Sequence, residues 1–186
     1  MFFDLPKYWI FLQFLSEHHS IIRSSLRPKM GLWLAYAKNM KITICGSAAF
    51  VEEMQGVAAE LKNLGHEVKG MPTKFVDGDG REWQTADYHK FKKSRPFDKP
   101  EFLNNHHQRI REHFDKVEWS DAILVTNYDK NGVADYIGPN TLMEMGVAFY
   151  LGKKIYLLNP VPDTPWKEEI LGMRPEVLNG NLELLS

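Results

Sequence analysis

The sequence predicts a doubly wound α/β domain, a five-stranded parallel sheet with helices on both faces. Three features point there. Short apolar runs alternate along the chain with stretches of helical period. Two of the runs, Lys41-Ile-Thr-Ile-Cys-Gly46 and Ala122-Ile-Leu-Val-Thr126, are apolar almost throughout, as strands covered on both faces must be. Helical stretches close on Gly65 and Gly152, where glycine takes the left-handed turn without steric cost. At 186 residues the chain is long enough for one such domain with a full core.

Lys41–Gly46 is the first strand, ending in Gly-Ser. Residues 50–64 set Val51, Met54, Val57, Ala58, Leu61 and Leu64 on one face of an amphipathic helix. His66-Glu-Val68 opens a second strand. Residues 71–101 break the rhythm with Pro72, Asp77-Gly-Asp-Gly80, the basic Lys90–Arg95 stretch, Pro96 and Pro100. A connection of that length is expected to be a functional lid or a disordered loop. A helix from about Phe102 to Trp119 turns Ile110, Phe114 and Val117 inward, and Ala122–Thr126 is the third strand. A Gly/Asn/Asp loop over 127–140 leads into a helix that is apolar on nearly every face. A strand at 154–158, a short helix over Trp166–Leu171 and an edge strand at Val177–Leu182 complete the domain, with no internal repeat.

Residues 1–39 have no periodic relation to the rest of the chain and are expected to be an appendage, the domain proper being 40–186. Their greasy stretch, Tyr8–Leu15, lacks a basic start and a small-residue cleavage site, so a signal peptide is not expected. A helix for a membrane surface or a partner is the alternative there. No segment approaches the roughly 20 apolar residues that a bilayer span needs. With a net charge of −1 there is no general basic field for nucleic acid. Cys45 is the single cysteine and cannot form an intramolecular disulfide, which points to a reducing, cytoplasmic setting.

Open parallel sheets bind ligands beyond the carboxyl ends of their strands, where the strand order reverses. Three segments converge there: Cys45-Gly46-Ser47, Thr126-Asn127, and the loop through Gly138, Asn140 and Thr141 that leads to Glu144. Glycine and serine after a strand suit an anion such as phosphate, and equally a tight turn with a serine cap. Glu144 also has two readings. Thr141-x-x-Glu144 fits a capping box at a helix start, and a carboxylate in greasy surroundings fits a catalytic group.

Taken together, Ile42-Thr-Ile-Cys-Gly-Ser47, Ser120-Asp-Ala-Ile-Leu-Val125, and Gly138-Pro-Asn-Thr-Leu-Met-Glu-Met-Gly-Val-Ala148 with Gly152-Lys153 resemble the nucleoside 2-deoxyribosyltransferase family, which includes deoxynucleoside 5′-monophosphate N-glycosidases. The resemblance runs over about residues 40–160, and E-x-G-x-A…G-K is its most specific part. It implies a flavodoxin-like (Rossmann-like) fold, a homodimer or higher homo-oligomer, and a nucleoside or nucleotide as the small-molecule partner, without a cofactor. It also implies that Glu144 attacks the anomeric carbon and forms a glycosyl-enzyme ester. Met143, Met145 and Phe149 are expected to keep that carboxylate dry. Gly138 stands where the family usually places an Asp, with Asp135 upstream as the substitute, and Thr43 stands where many members have a Tyr. The acid that often reads the base falls near His113, with Asp115 close by, and His113 is a candidate general acid or base of the site. Within the resemblance, Ser47 favours a 5′-phosphate on the substrate.

Other patterns carry less. His106, His107 and His113 share a helix, but no H-E-x-x-H or cysteine pair exists, so no metal is expected. The Asn127–Asp135 loop imitates a calcium loop but has Gly138 at the twelfth position instead of a glutamate. The Lys90–Arg95 run reads as a solvated loop, or as cations closing over a phosphate. The loop Gly138-Pro-Asn-Thr-x-x-Glu144 faintly echoes the P-G-G-x-G-T-x-x-E loop of phosphoribohydrolases and lacks its glycines. Two functions of different class remain: an enzyme of the N-glycosidic bond using Glu144, and a non-catalytic nucleotide-binding or sensor domain of the same fold.

Overall fold

The chain divides into two units, Met1–Lys38 and Asn39–Ser186. The computed structural model describes residues 39–77, 80–93 and 100–185, all in the second unit. The expected appendage over 1–39 therefore lies, but for Asn39, outside the described residues.

Five strands form one parallel sheet, as the sequence predicts. They are β1 (Lys41–Gly46), β2 (Glu67–Lys69), β5 (Ala122–Thr126), β6 (Lys154–Leu157) and β7 (Glu176–Val177), in the order β2-β1-β5-β6-β7. All four pairings are parallel, with Thr43 beside Ile123 and Leu124 beside Tyr156. This is the flavodoxin-like strand order, reversing direction between β1 and β5. Helix α1 (Val51–Asn63) crosses from β1 to β2, α3 (Pro100–Trp119) leads into β5, α4 (Pro139–Tyr150) joins β5 to β6, and α5 (Lys167–Gly172) precedes β7.

The alternation of β5 shows why the sheet is covered twice. Ala122 and Leu124 pack with Ile42, Ile44, Met54 and Leu61 on the α1 side, while Ile123 and Val125 pack with Cys45, Val117, Met145 and Ala148 on the α3–α4 side. All five β5 residues are buried. Gly46 is forced: a Cβ there would run into Thr126 Oγ1 of the neighbouring strand. The glycine stops hold, Gly65 at φ 95° and Gly152 at φ 66°. Lys153 donates to the carbonyls of Glu118 and Ser120, so this member of the G-K pair ties down the C-terminal end of α3.

Residues 74–76 and 82–93 form regular elements, which corrects the expectation of a disordered loop. Strands β3 (Lys74–Val76) and β4 (Glu82–Gln84) form an antiparallel hairpin, and α2 (Thr85–Lys93) comes directly after it. Its core is aromatic: Phe75 meets Tyr88 edge-on at 5.1 Å, and Trp83 lies 4.6 Å from Phe91. Lys90 and Phe91 are thus helical, and the rest of the basic run falls partly outside the described residues. The edge strand expected at Val177–Leu182 is also shorter. It ends at Val177 because Asn179 and Gly180 take positive φ, and Leu182–Leu184 is a 3-10 turn. Among the described residues, no helix is long and apolar enough to cross a membrane.

Candidate active site at the strand-order reversal

Helix α4 places Glu144. Gly138, extended at the N-cap, and Pro139 at the first helical position start the helix earlier than the capping box requires. Glu144 therefore lies in the second turn, and no side chain caps the helix, which corrects the capping-box reading. Thr141, Glu144, Met145 and Ala148 are the buried positions, spaced i, i+3, i+4, i+7. The acid sits on the inward stripe of its helix. Its surroundings also differ from expectation: Met145 is buried, but Met143 and Phe149 are 42% and 57% exposed.

Burial of Glu144 comes instead from β1 and α3. The carboxylate meets Cys45 of β1 and His113 of α3, whose Nδ1 is 3.7 Å from Glu144 Oε1. Glu144 is 6% exposed and His113 9%. Glu144 Oε2 and both ring nitrogens of His113 have no hydrogen-bond partner. Burial pushes the Glu144 pKa up to about 8, against the opposing pull of the Cys45 thiol and the Lys116 ammonium. Burial, followed by Lys116, pushes His113 down to about 4. Near neutral pH this contact therefore joins a protonated carboxyl and a neutral imidazole, and 3.7 Å is too long for a hydrogen bond. Burial raises the Cys45 thiol well above its usual range, and Glu144 adds to that rise.

Glu144 lines a cavity of about 530 Å³ at the strand-order reversal. Its lining includes Ser47, Lys130 and Tyr136; the Ser47 hydroxyl accepts from Lys130 Nζ at 2.5 Å and from Ala49 N at 3.3 Å. Glu144, His113 and Lys116 line it as well. Phe75, Tyr88 and Arg109 also line it, the guanidinium lying 3.6 Å from the Phe75 ring centre and 4.1 Å from that of Tyr88. The hairpin thus closes one side of the cavity. A second hollow of about 370 Å³, against Met54, Lys62 and Val68, brings together no acid, histidine or cysteine.

Of the residues that the sequence nominates, Gly46, Ser47, His113, Gly138, Asn140, Thr141 and Glu144 line this cavity. Cys45 lies behind it, against Glu144. Three do not reach it. Thr126 donates its hydroxyl to the Cys45 carbonyl, 3.2 Å away. Asn127 spends its side chain on Asn159 and Pro160, at 2.8–3.1 Å, and so pins the ends of β5 and β6 together. Asp135 sits at φ 53° with its amide donating to Asp129 Oδ1, 2.9 Å away, and the loop does not carry its carboxylate to the cavity. Its raised pKa comes from partial burial and the neighbouring Asp129.

Sequence reasoning missed Lys116, Arg109, Phe75, Tyr88, Lys130 and Tyr136. Lys116 carried a signal: it falls three residues after His113, on the same inward side of α3. Its ammonium donates to the Gly70 carbonyl at 3.1 Å, its own carbonyl accepts from Thr43 Oγ1 at 2.7 Å, and burial lowers its pKa. Thr43 is thereby occupied with α3. A convergence the sequence did not foretell is that Cys45, His113 and Glu144 present ligand-type atoms all within 4.8 Å of one another.

Fold and site define a flavodoxin-like α/β domain whose strand-order reversal carries a deep cavity with one buried acid in its wall. The chain matches no model of a known protein family, and no curated protein matches it.

Proposed function

We propose that the chain cleaves or transfers the N-glycosidic bond of a nucleoside or nucleoside 5′-monophosphate, with Glu144 as nucleophile. The observation that carries this reading is the placement of Glu144: buried on the inner face of α4, beside a neutral His113, with Oε2 aimed at no protein donor. A carboxylate used as a helix cap would be bound to backbone amides. The cavity, about 530 Å³, suits a nucleotide-sized molecule. The aromatic and guanidinium side chains in its lining suit a base, and Ser47 with Lys130 suits a phosphate. Catalysis through Glu144 requires the sugar to lie beside it.

Attack on C1′ needs the ionised carboxylate. Lys116 favours that form, and an oxocarbenium-like centre favours it further. Oxygen bonds to C1′, the bond from C1′ to the base nitrogen breaks with its electron pair, and the base takes up a proton from solvent water. Water or a second base then resolves the ester. Incubation with a panel of nucleosides and monophosphates, read as free base by chromatography, tests the proposal. Base release that is lost in Glu144→Ala, with the fold intact, supports it; full activity in that variant refutes it.

One observation favours a binding-only domain. Apart from Glu144, the carboxylates lining the cavity are Asp77, which accepts from the Trp83 indole at 2.6 Å, and the exposed Glu112. Asp135 does not join them. A ligand that raises the melting temperature with no base released over long incubation establishes that reading instead.

A further inference from the structure

We infer that Cys45, His113 and Glu144 form a binding site for a zinc-class divalent cation, with a further coordination position facing the cavity. The ligands come from β1, α3 and α4, and their donor atoms all lie within 4.8 Å of one another. Tetrahedral zinc holds sulfur at about 2.3 Å and nitrogen or oxygen at about 2.0–2.2 Å, which sets nitrogen-to-oxygen edges of about 3.3–3.6 Å and edges to sulfur of about 3.5–3.7 Å. The 3.7 Å from His113 Nδ1 to Glu144 Oε1 is within a few tenths of an ångström of such an edge. Closing a separation of 4.8 Å onto one asks for about 1 Å of side-chain movement.

The second observation is the absence of protein partners. Both ring nitrogens of His113 and Oε2 of Glu144 are buried without a hydrogen bond. Burying such atoms is unfavourable, and native interiors satisfy most of them. One ion ligated by the cluster gives a buried histidine nitrogen the partner it lacks and brings the Glu144 carboxylate a cation. The donor set decides the metal class. Thiolate, imidazole and carboxylate suit borderline-soft zinc, whereas magnesium and calcium require oxygen. Three protein ligands with a position left for water or substrate is the pattern of an accessible zinc site.

Lys116 is the objection, since its ammonium faces the same cluster. Stoichiometry answers it. The ion displaces one proton from the thiol and one from the carboxyl, so a charge of two replaces a charge of two and Lys116 faces the same total. The consequence rests on the function proposed above: an ion held by Glu144 occupies the nucleophile, and base release stops. Bound zinc is then an off-state of the enzyme.

The test is a Co2+ titration of the full chain after treatment with a chelator. Cys45 is the single cysteine, so thiolate-to-cobalt charge-transfer absorption can come from no other residue of the chain. One equivalent of Co2+ is expected to bring up that band, and zinc to abolish it by displacement. Cys45→Ser should remove the band. His113→Ala and Glu144→Gln should each weaken binding by roughly tenfold or more, since even outer-sphere partners of a metal cost that much. No band at saturating Co2+ overturns the site in the unmodified chain, whether or not the variants fold. A band equally strong and tight in both His113→Ala and Glu144→Gln overturns it as well. Base release in the same metal-free samples separates the two ideas. A band without base release leaves the metal site and removes the proposed function, and base release undiminished by one bound zinc refutes the off-state.

Discussion

Glu144→Gln should make the domain more stable, by an amount that grows with pH. The carboxyl ordinarily ionises near 4.5 and here near 8. Below about pH 4.5 native and unfolded chains both hold the proton, and the shift has no effect on stability. Between 4.5 and 8 the unfolded chain releases the proton while the native chain keeps it, so stability falls as pH rises. Above 8 both are ionised and the full loss has been reached. At about 1.4 kcal/mol per tenfold, a rise from 4.5 to about 8 amounts to roughly 5 kcal/mol. Glutamine keeps the shape and never ionises, so it removes this term and leaves the rest of the fold in place. For a domain of this size 1 kcal/mol moves the melting temperature by about 2–4 °C. About 3.5 kcal/mol of this loss accrues between pH 5 and pH 8, so the gap between variant and parent should widen by roughly 7–14 °C over that range. Melting both proteins in parallel, with a chelator present, measures it. A gap that stays constant across that range would mean that Glu144 ionises normally, and the account of a desolvated acid would fail.

Four further outcomes rest on the same geometry. Base release should climb with pH from 6 towards 8 as Glu144 ionises, and a profile already flat at pH 6 would contradict a Glu144 pKa raised to about 8. Lys116→Met removes a cation that favours the carboxylate, so the ascending limb should move to higher pH; a move to lower pH refutes its assigned role. His113 works in the opposite sense to Glu144. Its pKa is depressed to about 4, so its contribution is present above about pH 6.5 and lost as pH falls through 4, and His113→Phe should flatten the acid side of the stability profile. Gly46→Ala drives a methyl into Thr126 Oγ1 and should destabilise the domain by about 1–3 kcal/mol in denaturant melts, whereas a neutral result would show that β1 and β5 can part there.

The sheet was legible because its central strands are short apolar runs and its helices close on glycine. The hairpin at β3–β4 was not, although Asp77-Gly-Asp-Gly80 between Phe75 and Trp83 is turn chemistry flanked by aromatic residues. Prolines and charges on either side hid that local signal. The capping-box motif misleads because Pro139 starts α4 one turn before Glu144. A helix apolar on nearly every face concealed which stripe is inward, yet Thr141, Glu144, Met145 and Ala148 have the helical spacing of a buried face. Glu144 and His113 could be nominated one at a time from their own elements. Their meeting with Cys45 and Lys116 could not, because it depends on how β1, α3 and α4 pack across the sheet. Asn127 shows the reverse limit, since a polar residue at a strand end looks like a ligand contact until Asn159 and Pro160 are seen to take its hydrogen bonds.

The most direct measurement of the central claim is the intact mass of the protein after acid quench from a 2-fluoro-substituted nucleotide, whose fluorine slows breakdown of a glycosyl ester. An added mass equal to the sugar moiety, mapped to the peptide containing Glu144 and missing in Glu144→Gln, is the predicted result. Base release without any adduct at Glu144, or an adduct that persists in Glu144→Gln, would contradict it.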